Sequence, residues 1–250
     1  MNTKENIILA LEASKGEYVS GESLAENLGV SRNAVWKGVN ELKKTGYPID
    51  SVRNKGYKLN ASSDIVSKAG ITMYLGRKAQ KSTIKKMLDN LYVYDEIDST
   101  NNQAKRNVYF EGYQLTHKTI VIAKSQSAGQ GHKGSSYDSP EGGIYLSIIL
   151  DPKSLRKDEP VNITISDIVC NVIEKMYQVQ VQRKEYNAIF VGKKKVSGIL
   201  TDAVTELETG EYKSFISGVG IRADILGEIS GVTPSKNEII AVLMEEFSKM

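Results

Sequence analysis

The first 60 residues carry a spacing of apolar side chains that few folds can accommodate. Apolar residues recur every three to four positions and predict three short helices. Only Gly29-Val30 separates the second helix from the third, so the two form a helix-turn-helix pair. Two short extended runs, Ile49 to Val52 and Tyr57 to Leu59, follow around a four-residue turn. The pattern therefore predicts a winged helix. The apolar positions are Ile7, Leu11, Leu24, Leu28, Val35, Val39 and Leu42.

The charges of this region are unevenly distributed. Residues 1–30 hold two lysines and five glutamates, whereas residues 31–60 hold seven cations and two acids. A basic face on a winged helix is typical of a module that contacts the phosphates and base edges of DNA. The alternative is a face that is only solvated. The residues predicted to bind DNA are Ser31, Arg32, Asn33, Trp36 and Lys37 on the third helix and Arg53 and Lys55 in the wing turn.

Length and composition limit the class of protein. The chain has 250 residues, of which 40% are hydrophobic and 25% charged, as expected for a globular protein of two domains. No apolar run is long enough to cross a bilayer and no leader pattern is recognisable, so the sequence predicts a cytoplasmic protein without a membrane partner. The single cysteine, Cys170, cannot form an internal disulfide and is predicted to be a buried core thiol.

Beyond the winged helix (residues 1–60) we expect a linker at 61–70 and a second domain at 71–250. Helical stretches are expected within 64–75 and 78–88, and strands and helices mix from residue 91 onward. That order predicts an α+β domain, a mixed sheet with helices on one face. The strands are predicted at 91–96, 119–123, 143–150, 179–184, 188–191, 196–204 and 212–221, and the helices at 101–109, 161–177 and 237–250.

Three clusters in the second domain could carry chemistry. The segment 125–143 has five glycines in nineteen residues, and its backbone amides with His132 and Lys133 could hold an anion. A flexible surface loop is the alternative. Asp98-Ser99-Thr100-Asn101 either caps a helix or binds a ligand. Lys184 and Asn187 precede a lysine-rich strand with an internal glycine, although a lone lysine is usually solvated. No cluster has the spacing of a metal site.

Behind a winged helix and in this order, the three clusters resemble the biotin protein ligases of the bifunctional class, which also repress the biotin operon. The resemblance lies in residues 28–37, 54–59, 97–101, 139–147, 195–200 and 218–221. It implies a class II synthetase-like ligase domain that joins biotin to ATP, with Mg²⁺, to give biotinyl-AMP and pyrophosphate. The biotinyl group then passes to a lysine of a biotin carboxyl carrier protein. No tightly bound cofactor is implied.

The same resemblance assigns roles to single residues. It implies that Lys184 is the catalytic cation, which offsets the charge that builds up in the transition state. The implied biotin-binding residues are Ser99, Thr100, Gln126, Gly129, Gln130, His132, Gly198 and Gly218, and the implied nucleotide-binding residues are Lys133 and Asn187.

The sequence departs from the family pattern at several positions. Gln130, His132 and Ser135 occupy positions that hold arginine in the family loop, and Ala188 replaces an aspartate. Where the sequence stops, the family usually continues into a small β-barrel, which we expect to be absent. Three interpretations stay open: a ligase and repressor, a ligase-inactive regulator that only senses biotin or its adenylate, and a pocket for lipoate or a nucleotide. Each implies operator DNA as a partner, and a homodimer that spans two half-sites.

Overall fold

The computed structural model describes residues 2–109, 117–155, 160–185, 187–206 and 208–250. The chain divides into two compact units, Met1–Gly76 and Arg77–Met250. Within the described ranges no helix has the length and apolar character needed to span a membrane.

The first unit is a winged helix. Its elements are α1 (Thr3–Ala13), α2 (Gly21–Leu28), α3 (Arg32–Lys44), β1 (Ile49–Val52), β2 (Gly56–Leu59) and α4 (Lys68–Leu75). The Ser20 and Ser31 side chains cap α2 and α3, and Gly29 ends α2 in the left-handed conformation with φ 63°. Strands β1 and β2 pair antiparallel around the predicted wing turn, in which Asn54 has a φ of 65°.

The core of this unit contains the predicted apolar positions. Ile7, Leu11 and Val35 are fully buried, and Leu28 packs against the cluster from its edge. The unit extends beyond the predicted linker at 61–70, because Ala69 on α4 belongs to the same buried cluster. Helix α4 packs on α1, which places the boundary after Gly76.

The second unit is an α+β domain built on a seven-stranded mixed sheet, which confirms the predicted fold class. Its elements are α5 (Ser82–Asp89), β3 (Leu91–Ile97), α6 (Thr100–Tyr109), β4 (Thr119–Gln126), β5 (Ile144–Leu150), α7 (Val161–Tyr177), β6 (Gln182–Lys184), β7 (Ala188–Val191), β8 (Lys194–Thr205), β9 (Tyr212–Ile221), α8 (Ala223–Ser230) and α9 (Lys236–Ser248). The strand order is β3-β4-β5-β9-β8-β7-β6, parallel between β3 and β4 and antiparallel elsewhere. The sequence pattern did not predict α8.

Both faces of the sheet are covered, which differs from the expected single layer of helices. Helix α6 packs on the face that carries Ile149 and Ile216. Leu146 and Ile148 point to the opposite face and are equally buried. Every residue of β5 is buried, as a central strand between two layers requires. The chain passes from β3 into α6 at residues 98–100, which brings this corner over the centre of the sheet.

Candidate ligand-binding site

A cleft opens between the start of α6, the glycine-rich loop after β4, and strands β8 and β9. Polar side chains from α6 and the loop meet glycines and apolar residues of the strands. The cleft is lined by Ser99, Thr100, Asn101, Gln126, Gln130, Gly131, His132, Tyr137, Asn187, Lys195, Gly198, Ile199, Leu200, Gly218, Val219 and Gly220.

One wall of the cleft is a chain of hydrogen bonds through the Gln126 amide. The Thr100 backbone N–H and hydroxyl both donate to Gln126 Oε1, at 2.8 and 3.1 Å. Gln126 Nε2 donates to Ser139 Oγ at 2.8 Å, and Ser139 Oγ donates to the Tyr137 carbonyl at 2.9 Å. The amide orientation is therefore fixed from both ends, and the α6 corner is tied to both ends of the loop.

The floor of the cleft depends on Asn101, which is almost completely buried. Ser147 Oγ on β5 donates to Asn101 Oδ1 at 2.6 Å. Asn101 Nδ2 donates to the Leu200 carbonyl at 3.2 Å and to Asp202 Oδ2 at 3.0 Å, both on β8. A Cβ atom at Gly218 would collide with the Asn101 side chain. Asn101 thus links α6 to the central strands, and only glycine at 218 leaves room for it.

Tyr137 closes the cleft over the other two glycines of the strands. A Cβ atom at Gly198 would lie 2.6 Å from the Tyr137 ring, and one at Gly220 would collide with it. The Tyr137 hydroxyl donates to the Gly220 carbonyl at 3.0 Å. Burial raises the pKa of Tyr137 to about 12, so the hydroxyl stays neutral at physiological pH. The ring is held as an apolar lid against the strands.

The cation at this cleft is Lys195, at the start of β8. Its Nζ lies 5.4 Å from the centre of the Tyr137 ring, and the side chain is exposed at the mouth. Lys184, which the sequence predicted as the catalytic cation, does not line the cleft. It lies on the exposed edge strand β6, with its Nζ 4.4 Å from the Phe190 ring centre. Among the cleft-lining residues that the structure describes, Lys195 is the one lysine or arginine.

A second, more open cleft adjoins the first. It lies between the start of α7 at Pro160 and Val161 and strands β8 and β9. His132, Asn187, Ile199 and Leu200 line both clefts. Because four residues are common to the two walls, ligands in the two clefts would approach each other there.

The corner before α6 also carries a carboxylate in a firm ion pair. Arg106 donates two hydrogen bonds to Asp98, at 3.0 and 2.6 Å, and Asn102 donates a third at 3.1 Å. The Arg106 hydrogen bonds are the main reason that the pKa of Asp98 lies well below its usual range. The carboxylate is thus engaged within α6, which fixes the first turn of the helix beneath Ser99 and Thr100.

Comparison with known proteins agrees with this geometry. Residues 3–58 match the family model for an HTH domain, and residues 93–221, just over half of the chain, match the model for the biotin/lipoate A/B protein ligase family. The chain belongs to the biotin/lipoate A/B protein ligase family. The predicted family resemblance is therefore confirmed.

Relatives of this ligase family extend the match over both units. The chain is 30% identical over 223 residues to the bifunctional ligase/repressor BirA of Bacillus subtilis, covering 88% of this chain and 65% of that protein. It is 27% identical to the Escherichia coli BirA, covering 98% and 75%. A similar solved structure is the biotin protein ligase from Aquifex aeolicus in complex with biotin and ATP, at 26% identity and a TM-score of 0.51, covering 64% and 69%.

The structure brings most of the predicted ligand residues of this ligase domain together. Those that line the first cleft are Ser99, Thr100, Gln126, Gln130, His132, Asn187, Gly198 and Gly218. Gly129 lies behind the wall, where its carbonyl accepts from the Tyr137 N–H at 2.8 Å. Lys133 is exposed in the loop with a φ of 55° and lines neither cleft. Among the described residues no group of three His, Cys, Asp or Glu side chains could hold a metal.

The cleft-lining residues to which the sequence assigned no ligand role include Asn101, Tyr137, Lys195 and Gly220. A signal for three of them was present. Glycines at 198, 218 and 220 lie in otherwise apolar strands, and such glycines indicate that another group approaches the strand closely. That group is Tyr137 or Asn101 in each case. Lys195 carried no comparable signal because it stands among three consecutive lysines.

The predicted DNA-binding residues lie on α3, at its N-cap and in the wing turn of the first unit. Asn33, Trp36 and Lys37 are exposed on α3, and Trp36 is 55% exposed. Arg32 forms an ion pair with Glu22, and the Ser31 hydroxyl is engaged as the cap of α3. Arg53 and Lys55 are exposed in the wing, where the Lys55 and Lys58 ammonium groups lie 5.8 and 4.9 Å from the centre of the Tyr18 ring.

Proposed function

We propose that this protein is a biotin protein ligase that also represses transcription. The main support for ligase activity is the pair of adjoining clefts. His132 and Asn187 line both clefts, and Lys195 lies at the mouth of the first one. Such an arrangement suits two small substrates whose reacting groups meet at one point. The relatives named for both activities support the assignment, although the chain spans only 65% of the length of the B. subtilis protein.

Biotin is proposed to occupy the first cleft. Its ureido ring needs donors and acceptors, which the Ser99, Thr100 and Gln126 side chains supply at the α6 corner. Its apolar thiophane ring and valeryl chain need an apolar slot, which the Leu200 side chain supplies beside the glycines of the strands. The Tyr137 ring would cover this slot, as it covers Gly198 and Gly220. The biotin carboxylate would then point toward Lys195.

ATP is proposed to occupy the second cleft, with Mg²⁺ entering as its phosphate complex. A carboxylate oxygen of biotin attacks the α-phosphorus, the bond to the β-phosphate breaks, and pyrophosphate leaves with the bonding electrons. Both reactants are anionic, so a cation near the attacked phosphorus lowers the barrier. We assign that cation to Lys195, and Asn187 in the common wall would hold the nucleotide.

The second half-reaction transfers the biotinyl group. The ε-amine of a carrier-protein lysine attacks the carbonyl carbon of biotinyl-AMP, an amide bond forms, AMP leaves with the electron pair, and the amine loses a proton. Lys195 at the mouth would also stabilise the departing phosphate. The partner is thus a biotin carboxyl carrier protein.

The first unit is proposed to bind operator DNA. Helix α3 would read base edges in the major groove through Asn33, Trp36 and Lys37, while Arg53 and Lys55 hold phosphates. A homodimer favoured by biotinyl-AMP would span two half-sites, in the cytoplasm where ATP and the operator are found. Sedimentation with and without the adenylate tests this coupling, and an unchanged dimer fraction would exclude it.

A ligase-inactive sensor is the second candidate. It is favoured by Gln130, which lines the cleft with an uncharged side chain where the family pattern has arginine. A pocket for lipoate is the remaining alternative, since the family model includes lipoate ligases.

Calorimetry separates these functions. Purified protein is titrated with biotin and then with biotin and MgATP, and pyrophosphate is measured in the same sample. Biotin binding with pyrophosphate release is expected for the ligase. Biotin binding without pyrophosphate would establish the sensor, and binding of lipoate alone would overturn both.

A further inference from the structure

A cluster of exposed cations in the second unit lies on and just before α5. Within residues 76–88 there are five cations and no acidic residue. The net charge of the whole chain is only +3, so the rest of the molecule is close to neutral or slightly acidic. We name this patch the α5 lysine face; it consists of Arg77, Lys78, Lys81, Lys85 and Lys86.

The patch is exposed and rigidly presented. All five side chains are exposed, and Lys78 alone has an ion pair among the described residues, with Glu245 of α9 at 2.7 Å. On the opposite side of the same helix Ile84 and Met87 are buried, which fixes the direction of the cations. Since the apolar side of α5 is occupied by packing against α9, this helix cannot lie in a membrane surface.

The placement of Lys81 works against helix stability. It stands at the N-cap of α5, and no side chain caps that end. A cation near a helix N-terminus opposes the helix dipole, at a cost of a few tenths of a kcal/mol or more. An anion bound there would reverse the sign of that interaction. The patch is therefore better suited to a polyanion than to free solvent.

Chain connectivity favours DNA as that polyanion. Arg77 directly follows Gly76, the last residue of the winged-helix unit. Five residues of chain span at most roughly 18 Å, so Lys81 stays within that distance of Gly76 in any arrangement of the two units.

We propose that the α5 lysine face is a second DNA-binding surface, which holds backbone phosphates flanking the site that the winged helix recognises. This inference rests on the proposed DNA binding of the first unit. The contact is electrostatic and carries no sequence preference. It would lengthen the DNA segment that each protomer covers.

The test uses the full chain and a duplex selected by it from a random library, prepared as the bare core and with about ten flanking base pairs on each side. The variant is Lys81→Gln/Lys85→Gln/Lys86→Gln. A matched control, Lys153→Gln/Lys175→Gln/Lys213→Gln, removes the same charge from exposed positions elsewhere. Affinity is measured by fluorescence anisotropy between 50 and 200 mM salt.

The wild-type chain and the control are expected to bind the flanked duplex more tightly than the core. The α5 variant should lose that gain, and its plot of log affinity against log salt should be shallower by about 2 to 3, about 0.9 for each lost phosphate contact. Equal slopes for variant and control would overturn the proposal. So would a variant that binds DNA normally but biotinylates a carrier protein slowly, since the patch would then serve an acidic protein.

A first unit that does not bind DNA would give a result different from those described for the α5 variant. If the winged helix does not bind DNA, the wild-type chain selects no duplex at all. If it does bind DNA, a Trp36→Ala variant loses affinity for the core and the flanked duplex alike.

Discussion

The two units place their functional side chains in different ways. In the first unit they stand on one helix and one turn, so each group, residues 31–37 and residues 53–55, is a short continuous run of the sequence. In the second unit the cleft combines the α6 corner, a loop and two strands, from Ser99 to Gly220. A surface site follows from local periodicity, whereas a cleft depends on strand register. Substitutions in the surface site of the first unit and in the cleft of the second unit test this difference.

The two lysines of the ligase unit give the largest expected effect. Lys195→Gln should slow pyrophosphate release by about 10²- to 10³-fold, the loss typical of removing one group that stabilises transition-state charge. Lys184→Gln should change it far less, because that side chain lies away from both clefts. Single-turnover assays with biotin and MgATP measure both. A larger loss for Lys184 would restore the role that the sequence resemblance implied.

Lys184 and Lys195 also show which features of the site could not be predicted from the sequence. Apart from α8, the helices and strands were predicted from spacing, and α7 and β9 have the predicted bounds because their patterns are uninterrupted. The relation of Lys195 to the cleft was not predictable, since it follows from the pairing of Gly198 with Gly220 across β8 and β9 and from the Tyr137 ring that covers both. Two lysines in similar local contexts are distinguished only by that register.

The assembled floor of the cleft offers a second test. Gly218→Ala should destabilise the second unit by about 1 to 3 kcal/mol and weaken biotin binding, because the new methyl group collides with Asn101. The double variant Asn101→Ala/Gly218→Ala should lose less than the sum of the single variants. Thermal unfolding and calorimetry measure the cycle. If the losses of the two single variants add up to that of the double variant, the collision with Asn101 does not cause the effect of Gly218→Ala.

The local site in the first unit should respond independently of the cleft. Trp36→Ala is expected to weaken DNA binding by about 1 to 3 kcal/mol, and Lys55→Gln to make the salt dependence shallower by about 1. Lys44→Gln is the control, an exposed lysine at the other end of α3. Biotin affinity without DNA should not change in any of the three. A Trp36 variant with normal DNA affinity would move the recognition surface elsewhere.

The smallest expected effect concerns Glu12, a buried carboxylate in the first unit that local spacing alone could not identify. Burial raises the pKa of Glu12, and nearby Asp64 adds to the shift, although Lys15 Nζ lies 3.5 Å from its Oε2 and opposes it. Neither carboxylate oxygen has a hydrogen-bond partner among the described residues. The folded state therefore binds the Glu12 proton more tightly than the unfolded state does.

A raised acid pKa fixes the sign of the pH dependence. The stabilisation from the bound proton is complete below the unfolded pKa and is lost as the pH rises through the folded one. Glu12→Gln should accordingly be more stable than wild type at pH 7, by about 1 kcal/mol, with the difference shrinking toward pH 4. Trp36, the single tryptophan, lies in this unit, so its fluorescence during urea unfolding reports on the first unit. A difference that grew as the pH fell would mean that the Lys15 ion pair outweighs burial.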